Sequence, residues 1–112
     1  MNLITSHILD TSSGKPAVGI TTILFHGEND EWTEIARGAS NSDGRITGLL
    51  NDKVKLIEGI YKLRFETKDY FDKDRIPTFY PYIEIIFEIN SEEDYHIPLL
   101  LNPFGYTTYR GS

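Results

Sequence analysis

Apolar and polar positions alternate with a period of two along most of this chain, which is the signature of β-strands and not of helices. In residues 60–66, Tyr61, Leu63 and Phe65 fall on one side and Lys62, Arg64 and Glu66 on the other. That pattern predicts a strand with one buried and one wet face. Residues 83–89 repeat it, with Ile83, Ile85, Phe87 and Ile89 inward. The same reading predicts strands at 3–9, 18–25, 33–39, 95–101 and 105–109, and a short one at 45–47. Turn-forming residues separate them at 10–16, 27–30, 41–44 and 90–94, and Asn102-Pro103 ends a strand. In the Asn41-Ser42-Asp43-Gly44 turn, Gly44 can take a positive φ at little cost. Only residues 68–74 suit a short helix. Seven or eight short strands at near-regular spacing predict an all-β fold, an antiparallel sandwich, in one domain spanning residues 1–112.

Composition narrows the function. The 112 residues include no cysteine, which excludes disulfides, thiolate metal sites and cysteine nucleophiles. That absence leans toward a cytoplasmic protein. The formal net charge is −6, with no basic cluster, so no nucleic-acid partner is expected. No apolar run approaches the ~20 residues that span a bilayer, and residues 1–10 show no signal-peptide pattern, so no membrane association is expected.

Few residues are left to carry chemistry. Strand parity groups His7 with Leu3, Thr5 and Leu9, away from Ile4, Ser6 and Ile8. It also turns His96 outward with Pro98 and Leu100, opposite Tyr95, Ile97, Leu99 and Leu101. His26, beside Gly27, reads as a loop residue. Taken singly, each histidine reads first as an ordinary surface or capped residue. Histidine nevertheless titrates nearest neutral pH and is the usual general base. No two histidines are spaced to share one face of one element, so no metal site is expected. Arg45 follows the Asp43-Gly44 turn, where its fork of donors could clamp an oxyanion or a planar ligand. No phosphate loop, nucleophile elbow or dinucleotide fingerprint is present. The ending Tyr109-Arg110-Gly111-Ser112 follows a predicted strand with no polar spacer, whereas chain ends usually fray.

Three segments carry a resemblance: Ser6-His7-Ile8-Leu9-Asp10, Glu58-Gly59-Ile60-Tyr61-Lys62-Leu63, and Pro103 through Ser112. Together they resemble the transthyretin-related family over nearly the whole chain, residues 3–112. That family has two branches, a carrier of thyroid hormone and 5-hydroxyisourate hydrolase, an enzyme of urate breakdown. The Tyr-Arg-Gly-Ser ending is similar to the hydrolase signature. His7, Arg45 and His96 match its first-strand histidine, its arginine after the Asp-Gly turn and its histidine before a Pro-Leu-Leu run. Phe104-Gly105-Tyr106 departs mildly from the usual Tyr-Ser-Tyr or Tyr-Gly-Tyr.

The resemblance implies a transthyretin-like β-sandwich of two antiparallel sheets, about eight strands with one short helix. It implies a homotetramer with its sites at the dimer–dimer interface. It implies hydrolytic ring opening of a small molecule, 5-hydroxyisourate, without a cofactor. In that reaction His7, Arg45 and His96 are catalytic, with His7 or His96 as general base and Arg45 on the developing oxyanion. His7, Arg45, Tyr109, Arg110 and Ser112 bind substrate, Ser112 through its hydroxyl and terminal carboxylate. The rival reading is a non-enzymatic carrier of a small aromatic ligand. An adhesive surface module is a third, disfavoured because no signal sequence is seen.

Overall fold

A computed structural model describes residues 4–47, 49 and 56–112. Its described residues form nine strands and one helix: β1 (Ile4–Asp10), β2 (Lys15–Pro16), β3 (Thr21–Glu28), β4 (Glu31–Ala39), β5 (Arg45–Ile46), β6 (Gly59–Phe65), α1 (Thr67–Asp72), β7 (Ile83–Ile89), β8 (Tyr95–Asn102) and β9 (Gly105–Thr108). One sheet runs β2-β1-β8-β9, with β5 also on β1; the other runs β4-β3-β6-β7. The predicted first strand begins at Leu3, which lies outside the described residues. No described helix is long and apolar enough to cross a membrane.

Strand alternation builds the core. Ile4 and Ile8 of β1, Leu24 of β3, Leu63 and Phe65 of β6 and Leu99 of β8 are at most 1% exposed and belong to one apolar cluster. Burying such side chains is the main favourable term in folding. Two polar groups share the inward face of β1, and both are satisfied. Ser6 Oγ donates to the Ile97 carbonyl at 2.6 Å. Asp10 accepts from the Ser12 amide and from the Tyr70 hydroxyl at 2.8 Å, which ties the first loop to α1.

Four expectations are corrected. First, the sandwich is not wholly antiparallel: β1 and β8 pair in parallel, Thr5 opposite His96 and His7 opposite Pro98. A period of two is the same for either direction, so alternation cannot tell them apart. Second, β3 runs past the predicted end, and His26 is a strand residue. The hairpin turn is only Asn29-Asp30, both at positive φ (54° and 63°), between the paired Glu28 and Glu31. His26 packs on Tyr61 with ring centroids 4.8 Å apart.

Third, Lys62 is not on a wet face; it is 8% exposed. Its ammonium stands 4.5 Å from the Trp32 ring and 4.8 Å from the Phe25 ring, and pairs with Glu84 at 3.1 Å. Neighbouring strands cover the stem while the charge keeps its partner. Fourth, residues 15 and 16 of the predicted loop form β2 on β1.

Candidate active site

The outer face of β1 presents Thr5, His7 and Leu9, and that of β8 presents His96 and Leu100, as parity predicts, but Pro98, expected outward with them, is buried. Parallel pairing puts Thr5 beside His96, and antiparallel pairing with β5 puts Arg45 beside His7. Residues 38 to 91 positions apart in sequence are thereby gathered on one sheet face.

The turn before Arg45 is tightly specified. Asn41 Oδ1 accepts the amides of Asp43 (2.9 Å) and Arg45 (3.0 Å). Gly44 sits at φ 74°, and its carbonyl accepts the Ile8 amide at 2.7 Å. A Cβ at Gly44 would collide with the Ile8 carbonyl oxygen, so both conformation and space require glycine. The turn aims the Asp43 carbonyl at His7, whose Nε2 lies 2.9 Å away. A carbonyl only accepts, so Nε2 carries the proton and neutral His7 keeps its lone pair on Nδ1.

His96 is held from two sides. Its Nδ1 lies 2.8 Å from Thr5 Oγ1. On the other side the Gly111 amide donates to the His96 carbonyl at 2.8 Å in an antiparallel bridge. Burial pushes the His96 imidazole below the ordinary histidine pKa; the nearby Arg45 and His7 push it further, and the Thr5 backbone offsets part of this. Each of the downward pushes favours the neutral ring, whose lone pair can take a proton.

Two clefts flank His96. One, of about 370 Å³, is lined by Thr5, Arg45, Thr47, His96 and Ser112 among others. The second, of about 350 Å³, is lined by Ile85, Phe87, His96, Tyr109 and Arg110 among others. The anticipated residues are thus divided. Arg45, His96 and Ser112 share a cleft, and His7 adjoins Arg45 across the β-ladder. Tyr109 and Arg110 lie beyond His96, with Arg110 paired to Glu93 at 2.7 Å. His26 belongs to the other sheet. Among the described residues, no group of three His, Cys, Asp or Glu could hold a metal ion.

Sequence reasoning passed over Thr5, although its parity with His7 placed it on the same face. It also passed over Glu93, whose partner is 17 residues away in sequence and carries no local signal.

A family model described as Transthyretin: HIUase/Transthyretin family matches residues 4–111. The chain belongs to this family. Its relatives include the probable 5-hydroxyisourate hydrolase of Schizosaccharomyces pombe, 46% identical, with 97% of this chain and 90% of that protein covered. The mouse 5-hydroxyisourate hydrolase is 44% identical, covering 97% of this chain and 94% of the relative. Among solved structures, Sparus aurata transthyretin superposes with a TM-score of 0.89 at 30% identity, over 96% of this chain and 95% of that one. Klebsiella pneumoniae 5-hydroxyisourate hydrolase superposes with a TM-score of 0.85 at 34% identity, over 98% and 99%. In the HIUase/Transthyretin family the backbone therefore does not separate carrier from hydrolase. The side chains on the outer face of β1, β5 and β8 must do so.

Proposed function

We propose that this chain, as one domain of 112 residues, is a 5-hydroxyisourate hydrolase that opens its substrate's ring in urate breakdown. The product is 2-oxo-4-hydroxy-4-carboxy-5-ureidoimidazoline. The observation that carries the reading is the meeting of His96, its pKa pushed down by burial, with Arg45 on one cleft, with His7 alongside. The relatives that bear the hydrolase name support it. A carrier would need apolar walls at this point, and two histidines with an arginine are a poor fit to that need.

In this mechanism Nδ1–H of His96 donates to Thr5 Oγ1, which leaves the lone pair on Nε2 as the general base. It takes a proton from water as the water oxygen bonds to the ring carbonyl carbon. Arg45 stabilises the resulting oxyanion. The ring C–N bond then breaks, and the leaving nitrogen recovers the proton from His96. His7, anchored by Asp43, orients water or substrate through Nδ1. Ser112 completes the substrate-binding wall within the cleft and Tyr109 from the far side of His96, where Arg110 pairs with Glu93.

The same reading makes the protein a homotetramer whose sites lie where dimers meet. Leu9 and Leu100 share the outer face with His7 and His96, and such mixed patches suit interfaces. A cysteine-free chain suits the cytoplasm. The test is rapid-mixing absorbance with freshly generated 5-hydroxyisourate, alongside light scattering. The expected result is accelerated loss of substrate by a tetramer. Folded protein that leaves the buffer rate unchanged overturns the hydrolase reading, and a monomer mass overturns the shared site.

A further inference from the structure

Arg110 does not line the cleft that holds Arg45, His96 and Ser112. Its Nη2 donates to Glu93 Oε2 at 2.7 Å, and its guanidinium stands 4.8 Å from the centre of the Tyr95 ring. Glu93 lies in the turn before β8, and Tyr95 is the first residue of that strand. That turn is itself braced on the Tyr95 hydroxyl, which receives the Asn90 amide at 3.1 Å and lies 2.9 Å from Ser91 Oγ.

The tail runs antiparallel to the start of β8. Gly111 bridges to His96, and the side chain of the preceding residue, Arg110, lies over the Tyr95 ring. The residue after Gly111, Ser112, enters the cleft. A grip on Arg110 therefore acts immediately ahead of the contact that seats the tail on His96. Without it, the Gly111–His96 bridge would be the last tie on an otherwise exposed chain end, and chain ends fray unless tied down.

We propose that Glu93 and Tyr95 clamp the Arg110 side chain so that Gly111 stays seated on His96 and Ser112 stays in the cleft. This makes Glu93 and Arg110 positioning residues, and it rests on the hydrolase reading for its kinetic consequences. Both side chains of the ion pair are exposed, so the clamp is modest and screened by salt.

Glu93→Gln should raise KM about three- to fivefold with kcat within about twofold, the scale of one exposed ion pair. His7, Arg45 and His96 stay in place in that variant, and its melting temperature should match wild type. Arg110→Glu, which sets two carboxylates against each other, should lose more. The charge swap Glu93→Arg with Arg110→Glu should recover most of that loss. A wild-type KM in Glu93→Gln, or a swap no better than Arg110→Glu alone, overturns the clamp and assigns Arg110 to direct substrate contact. Hydrogen exchange at the Gly111 amide reads the clamp without substrate. Faster exchange in Glu93→Gln supports it and unchanged exchange overturns it. A wild-type protein inactive on 5-hydroxyisourate overturns the functional reading instead, and the exchange result still decides the clamp.

Discussion

Gly111 packs closely against the ring of His96: its amide bonds to the His96 carbonyl at 2.8 Å, and a Cβ placed on it would lie 2.6 Å from His96 Cδ2. Real Cβ atoms do not approach so closely, so any side chain at 111 must displace either the tail or the imidazole. Gly111→Ala should therefore cost about 10–100-fold in kcat/KM, the usual effect of moving a reacting group by about an ångström. Its melting temperature should stay near wild type, because the tail carries no core residue. Turnover close to wild type in Gly111→Ala would show that this contact has no part in catalysis.

The pH profile follows from the same ring. A base that must be neutral loses activity as pH falls through its pKa. Burial, Arg45 and His7 all push His96 downward, so the acid limb of kcat/KM should lie below the ordinary histidine pKa of about 6.5. Removing one neighbouring cation relaxes that push. In Arg45→Gln the residual activity should show an acid limb displaced to higher pH. A limb that moves down, or stays put, would argue that another group controls it.

His7→Ala, His96→Ala and Arg45→Ala should each lower kcat/KM by about 10²–10³-fold, the typical cost of deleting a transition-state partner. Their stability should change by about 0.5 kcal/mol or less, since all three side chains sit on the outward face of the sheet. Leu99→Ala is the contrasting control. Leu99 is 0% exposed, so its truncation should cost about 2–5 kcal/mol by denaturant titration. An alanine variant at 7, 45 or 96 that turns over at the wild-type rate would leave the site without that residue.

Deleting residues 110–112 should abolish hydrolysis and shift the melting temperature by only a few degrees. The deletion removes the Gly111 bridge and Ser112 from the cleft but takes no member of the apolar cluster. Full activity in the truncated protein, measured by the same absorbance assay, would show the tail to be an ornament of the edge strand.

Chelation provides a separate check. Activity should survive exhaustive treatment with a metal chelator, because the proposed route needs only His96, Arg45 and His7. Loss of activity on chelation with recovery on adding zinc would require a different mechanism.

The direction of each side chain was legible in the chain. Alternation in 60–66 and 83–89 marks the sandwich, and parity alone turned His7 and His96 away from the core. The Asp43-Gly44 turn was equally plain, because its glycine answers a local backbone need. Family resemblance, carried by a few short motifs, added the fold and the candidate site residues. Proximity was a different matter. Parity says which face a residue is on and nothing about which strand lies beside it. That β1 and β8 run parallel, with Thr5 against His96 across 91 positions, was settled by long-range packing. The same holds for Lys62, which alternation put in water and which Trp32, Phe25 and Glu84 enclose from other strands. It holds for Arg110, whose partner Glu93 sits in a different turn. Local pattern determines what each element presents because backbone geometry repeats every two residues along a strand. Only the tertiary fold decides what meets what, because those contacts are chosen by the burial of one shared core.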